Sequence, residues 1–467
     1  MKVLSRVIAL GVLTLLSGGC DTIDGLLGTC NPPPDAESFA FDVTWTRVVQ
    51  GNQTATNLAP ILAGRPAGIE VLLTLVDGAL GAHLFDISAT VDVMVDGESV
   101  GNLDLELGCV RGERSAIRGT IPGAWLQRGT EVHVTVHSAS PNVAVPAEAF
   151  VVEPIVAEVP VLEVTVVPLI VGDEFPDPSP AIYDSWLEAA RYHFAIDAVD
   201  LVIHAPLDLG LGDTCTVASK FPALQELWYY RTAQDSERFF VGVLPCPVGG
   251  VALTPGYVMA TSPGLAATET FLHELGHNLS LGHAPCGGAP GADPSFPYQG
   301  GVLGLPGFDA ATETWIPATA FDGMGYCVGS WLSDYHYARS ARYRMFQERP
   351  PVLEALAAEP WPISLVIQGE VRPDGTVFVT HAVRMWAPTQ RHTSAPSDTG
   401  DAVVIEVVGR DGEVLARSEA HLVEVDHVET RLFSARVGVT EATGFAAKTV
   451  RVAYEEEWAS RALVDGD

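Results

Sequence analysis

Hydrophobic and polar positions alternate with period two through residues 36–160. Phe39, Phe41, Val43 and Trp45 are separated by smaller or more polar residues, and Val132, Val134 and Val136 repeat the pattern. Successive side chains of a strand point to opposite faces, so this alternation predicts half-buried strands. Asp96-Gly97 follows the apolar run Val91–Val95 and reads as a tight hairpin turn. An N-terminal β-sandwich is expected over 36–160.

The texture changes over residues 161–350. Val161–Val171, Val199–His204 and Phe239–Leu244 read as strands, and Tyr183–Ile196 and Phe221–Tyr230 as helices. Such mixing predicts an α+β or α/β catalytic unit. Within residues 351–467 alternation returns from Trp361 onward, where Val377–Thr380 and Val403–Val408 read as strands. Asp374-Gly375 and Asp411-Gly412 supply turns there, and a C-terminal β-sandwich is expected.

The first 19 residues read as an export signal. Lys2 and Arg6 precede the apolar stretch Val7–Leu16, and Ser17, Gly18 and Gly19 lead to Cys20. The segment resembles a bacterial lipoprotein signal, which implies a lipid on Cys20 and a place in the cell envelope. Residues 20–35 read as a tether, stiffened by the three prolines within Asn31–Asp35. Beyond the N-terminus no apolar run is long enough to cross a bilayer.

A net charge of −32 repels phosphate backbones and argues against nucleic acid as a partner. Setting Cys20 aside leaves Cys30, Cys109, Cys215, Cys246, Cys286 and Cys327. An even number outside the cytoplasm suggests disulfides. Pairing neighbours gives Cys30–Cys109, Cys215–Cys246 and Cys286–Cys327, although other connectivities stay open.

The candidate chemistry lies in His273-Glu274-Leu275-Gly276-His277-Asn278-Leu279-Ser280-Leu281-Gly282-His283. Residues four apart stack on one helix face, so His273 and His277 can share a metal. His283 can join them only if the chain turns after about Leu279, and Gly282 is available for the positive φ of such a turn. Three imidazoles leave a coordination position for water, as a catalytic zinc site requires. Glu274 adjoins the first ligand and can serve as general base. Ser262 and Pro263 are candidate N-cap and first residue of this helix. Phe271, Leu275 and Leu279 form its apolar stripe.

This segment resembles the metzincin zinc signature, departing only where the family glycine falls on Ser280. Phe321-Asp322-Gly323-Met324-Gly325-Tyr326 resembles the methionine turn of that family. The resemblance implies an apolar floor from Met324 and, more weakly, a zinc-binding or intermediate-stabilising role for Tyr326. The stretches Gly249–Tyr337 are similar to bacterial secreted and lipoprotein metzincins related to mucin-cleaving proteases. A metzincin-like α+β catalytic domain flanked by two β-sandwiches is therefore expected. Gly250, Val251, Ala252 and Leu253 could supply the edge strand that pairs with substrate. The resulting expectation is a zinc endopeptidase acting on extracellular proteins or glycoproteins. A catalytically inactive lipoprotein that binds glycan or protein, and a non-peptidase zinc hydrolase, are the rival readings.

Overall fold

The computed structural model describes residues 37–465, apart from 54–58, 79–84, 111–113, 177–178, 235, 328–330, 347–362, 386–391, 394–400, 426–427 and 440. The signal segment, Cys20, the tether and Cys30 lie outside the described residues. So does the side chain of Cys109. No described helix is long and apolar enough to cross a membrane.

The chain forms two compact units. The first comprises Met1–Thr46, Glu70–Gly119 and Val132–Val152. Its described part is built from strands. Phe39, Phe41 and Val43 are buried, as are Val132, Val134 and Val136, so the period-two positions face a core. Phe85–Val95 and Glu98–Val110 pair antiparallel across Asp96-Gly97. Both turn residues take positive φ, 51° and 82°, the backbone that a two-residue hairpin needs.

The second unit comprises Arg47–Ile69, Thr120–Glu131 and Glu153–Asp467. Its main sheet contains β1 (Leu162–Ile170), β2 (Val199–Ile203), β3 (Phe239–Val243), β4 (Gly250–Thr254), β5 (Val258–Thr261), β6 (Ile363–Val371), β7 (Val377–Met385), β8 (Val423–Val425) and β9 (Val428–Val439). Its longer helices are α1 (Pro180–His193), α2 (Lys220–Ala233), α3 (Thr268–Asn278) and α4 (Asp334–Phe346). These strands share one sheet in the order β2-β1-β3-β5-β4-β8-β9-β6-β7. The first four run parallel, and β4 turns back antiparallel to β5.

Helix α1 starts with Pro180 at a position where its missing N–H costs nothing. It buries Tyr183, Trp186, Leu187 and Ala190, spaced as one helical stripe. Trp186 stacks on Phe271 of α3 with ring centroids 5.2 Å apart. Phe271, Leu275 and Leu279 are all buried in the same core, so the stripe fixes α3 against the sheet and turns the opposite face outward. Each large apolar side chain buried this way contributes about 2 kcal/mol. Buried arginines hold the irregular segments. Arg47 donates to the carbonyls of Gln53 and Pro306, each at 2.8 Å. Arg65 donates to the carbonyls of Arg191, in the last turn of α1, and of Ile196, just beyond that helix.

The expected metzincin-like α+β domain between two sandwiches is corrected by this architecture. Strand accounts for 46% of the described residues and helix for 18%, so the described part is mainly β. The sheet does not stop near residue 350. Leu253 and Thr254 of β4 pair with Val425 and Glu424 of β8, which carries the sheet into the C-terminal strands. The physical reason is the unpaired edge that β4 would otherwise present. Val425 and Leu432 cover part of it and pack in one core with Val251, Leu253 and Val258. A further sheet, whose central strand is Ala402–Val408, closes a second core over β6, β7 and β9.

Candidate metal centre

Helix α3 carries His273, Glu274 and His277. It does not begin at Ser262-Pro263. Leu265–Ala267 forms a tight 3-10 turn first, and Ala267 occupies the cap position. The Ser262 hydroxyl instead accepts the N–H groups of Val248 and Gly249, both at 2.9 Å, and so shapes the approach to β4. At its other end the helix is tied to the β4–β5 hairpin. Buried Asn278 donates its side-chain amide to the carbonyls of Leu253 and Val258, at 2.9 and 3.0 Å.

The chain leaves α3 through Ser280, which sits at φ 71°, while Gly282 has no positive φ. Leu281 N–H reaches Gly276 O at 3.0 Å and Ser280 N–H reaches His277 O at 2.9 Å. Those two bonds make the Schellman exit, in which the left-handed residue follows the cap. The expected role of Gly282 thus belongs to Ser280. A left-handed non-glycine residue costs about 1–2 kcal/mol, partly offset because serine loses less chain entropy than glycine. Ser280→Gly is therefore expected to stabilise the protein by up to about 1 kcal/mol without altering metal affinity. Denaturant unfolding checks the first part and metal titration the second.

This exit brings His283 back beside the other two imidazoles. One nitrogen from each of His273, His277 and His283 lies within 4.8 Å of the others, and this is a group able to hold a metal among the described residues. Each Nδ1 faces a backbone carbonyl: His273 that of Gly323 at 2.9 Å, His277 that of Leu281 at 2.9 Å, His283 that of Pro290 at 2.6 Å. A carbonyl only accepts, so each Nδ1 carries the proton. The three Nε2 atoms then present lone pairs, and those of His273 and His277 lie 3.1 Å apart. Lone pairs so close repel unless a cation lies between them. The donor set therefore fits a divalent metal of the zinc type, with the tautomers fixed by the outer carbonyls.

Met324 is fully buried, and a Cβ on Gly276 would overlap its sulfur. Glycine within this helix thus lets the methionine come close. The Phe321–Tyr326 turn, expected to resemble a methionine turn, is held by Asp322, a residue whose role the sequence did not reveal. Its buried carboxylate accepts Met324 N–H at 2.8 Å, Ser333 N–H at 2.8 Å and His336 Nδ1–H at 3.0 Å. Burial alone would raise its pKa, but the attraction of His336 and these hydrogen bonds outweigh it, and the pKa is lowered. A lowered folded pKa means stabilisation present above about pH 4 and lost as pH falls through the folded value. Asp322→Asn should cost about 3 kcal/mol near neutrality, and the gap from wild type should shrink below about pH 4. Paired urea melts at pH 7 and at acid pH check this.

The disulfide Cys286–Cys327 joins the loop after His283 to the methionine turn, and Cys215–Cys246 forms as well. Tyr326 N–H donates to Cys286 O at 3.0 Å. The Tyr326 ring is 44% exposed, and its centroid lies 5.7 Å from His273 and 5.2 Å from His283. It stands at the rim of the triad.

A cleft of about 510 Å³ opens over this group, lined by Gly250, His273, Glu274, Tyr326 and Lys220 among others. Gly250 runs so close above the base that a Cβ there would overlap the Glu274 carboxylate. The Lys220 ammonium donates to Gly250 O at 2.7 Å and fastens this end of β4. Gly250 lines the cleft, whereas Val251 and Ala252, also expected at the substrate edge, are fully buried. Leu253, expected to belong to the substrate edge, is instead taken by Val425.

Three imidazoles able to hold a metal, a neighbouring carboxylate and the Gly250 backbone thus meet at one cleft. The family model of Peptidase M66, a metallopeptidase family, matches residues 241–330, from β3 past the methionine turn. The match supports a metallopeptidase, and it does not reach the finer metzincin or mucin-cleaving placement. No curated protein matches the chain significantly. Among solved structures, a Paenibacillus sp. cycloisomaltooligosaccharide glucanotransferase matches at 9% identity and TM-score 0.19, covering 44% of this chain and 28% of that one. A CARDB domain from Pyrococcus furiosus matches at 14% identity and TM-score 0.14, covering 25% of this chain and 94% of its own. A glycosyl hydrolase family 2 member from Bacteroides cellulosilyticus matches at 8% and 0.20, covering 92% and 79%. Scores so low carry no argument about fold or activity.

Proposed function

We propose that the protein is a zinc-dependent endopeptidase that hydrolyses extracellular proteins or glycoproteins. The observation that carries this reading is the set of three inward-facing Nε2 lone pairs beside Glu274 and under the β4 edge. His273, His277 and His283 would hold the ion. Zinc there would supply Lewis acidity, acidifying water and polarising the scissile carbonyl. Glu274 takes a proton from the water as its oxygen attacks the carbonyl carbon. The same carboxylate returns the proton to the departing amine as the C–N bond breaks. Tyr326, at the rim, donates a hydrogen bond to the developing oxyanion. The Gly250 backbone, which lines the cleft, guides the substrate.

The same reading puts the enzyme outside the cytoplasm, anchored through a lipid on Cys20. Two disulfides in the second unit suit an oxidising compartment. The test is digestion of casein and of a glycoprotein panel by the purified mature chain. Cleavage that stops with a zinc chelator and returns with added zinc is expected. Undiminished cleavage after chelation, or none with zinc present, would refute the proposal.

A further inference from the structure

Two neighbours at the start of α4 hold the two loops that complete the metal centre. His336 donates to Asp322 at 3.0 Å, and so fixes the turn whose Gly323 carbonyl orients His273. Tyr335 donates its hydroxyl to Asp293 Oδ2 at 2.8 Å, and Arg339, one helical turn further on, donates to the same oxygen at 3.4 Å. Asp293 belongs to the loop that follows His283. Its side chain is 9% exposed, and its other oxygen accepts Ser295 N–H at 2.8 Å. Its own N–H returns to His283 O at 2.8 Å. Phe296 closes the loop against the same helix, its ring centroid 5.8 Å from Tyr335 and 5.1 Å from His336.

Between His283 and Phe296 the chain forms no helix or strand, and Gly287, Gly288 and Gly291 take positive φ. Such a segment has little stiffness of its own, so its shape depends on where it is tied. One tie is the disulfide from Cys286 to Cys327, and another is the bond from Asp293 to Tyr335. Pro290 lies between the two, and its carbonyl is the acceptor of His283 Nδ1–H.

We infer that Tyr335 and Asp293 are positioning residues for the metal centre: the bond between them fixes the Pro290 carbonyl and, through it, the ring of His283. The inference rests on the metal-binding reading above. Neither residue lines the cleft, so their action is indirect. One turn of α4 thereby sets two of the three imidazoles, His273 through Asp322 and His283 through Asp293. His277 needs no such support, because its acceptor, Leu281 O, lies at the exit of its own helix. Groups that orient a metal ligand from outside change affinity by about 10–100-fold when they are lost.

The experiment compares the full mature chain with Tyr335→Phe, which deletes one hydroxyl and keeps the ring against Phe296. Zinc affinity is measured by competition with a chromophoric chelator, well below the melting temperature of each zinc-free protein. About tenfold weaker binding is expected. Asp293→Ala should weaken binding at least as much, and adding Tyr335→Phe to it should cost nothing further, since both act through one bond. Tyr298→Phe is the control. It removes a similar bond of 2.7 Å, to Asp334 of the same helix, in which neither partner lies between Cys286 and Asp293. Its zinc affinity should equal wild type even where its melting temperature falls. Wild-type affinity in Tyr335→Phe, equal losses in Tyr335→Phe and Tyr298→Phe, or additive losses in the double variant would overturn the positioning role and leave the metal centre standing. No zinc bound by wild type would overturn both.

Discussion

Glu274→Gln is expected to lower peptide hydrolysis by about 10³-fold while leaving fold and metal affinity unchanged. The glutamate is 2% exposed and lies between the imidazoles and the sheet edge, within the cleft. Glutamine keeps its size and polarity but cannot take a proton from water at neutral pH. None of the three hydrogen bonds that fix the histidine tautomers involves Glu274; their acceptors are Gly323, Leu281 and Pro290. Loss should therefore appear in kcat, with the metal content of the variant equal to wild type. Kinetics on a fluorogenic peptide together with elemental analysis measures both. A variant that keeps a tenth or more of wild-type activity would remove Glu274 from the proposed mechanism.

Gly250→Ala should lower activity too, by about 10²-fold and by a different route. The added Cβ would overlap the Glu274 side chain from Cγ to its carboxylate, while the backbone of β4 is held by β5 and Lys220. The carboxylate yields, and a displacement of about 1 Å at the reacting centre costs about 10²-fold. Strand pairing and the histidines are not touched, so the stability cost should stay at the about 1–3 kcal/mol of local overpacking. Peptidase kinetics beside a thermal melt separates this outcome from misfolding. Full activity in Gly250→Ala would show that the base has room to spare.

Much of the site was legible because its signals are local. His273 and His277 stand one helical turn apart, and a turn after Leu279 was the only way to recruit His283. What turned out differently depended on contacts distant in sequence. Gly282 looked better suited to positive φ than Ser280, but the left-handed residue is set by where the helix ends, and Asn278 fixes that end against the β4–β5 hairpin. Ser262 carries the residue type of a cap, yet it serves the turn before β4. Asp322 gains its role from Ser333 and His336, and Lys220 from Gly250, thirty residues away. The alternation after residue 361 correctly indicated strands. Pattern alone does not say which strand will be a neighbour, so the junction of β4 with β8 stayed hidden, and with it the continuity of the sheet.

The central claim is that three imidazoles share one metal ion. Zinc content of the purified mature chain, measured beside His283→Ala after equal dialysis against trace zinc, tests it most directly. The account requires one zinc per wild-type chain and loss of at least about tenfold in affinity in the variant. Equal zinc retention by both proteins, or none by wild type, would contradict it.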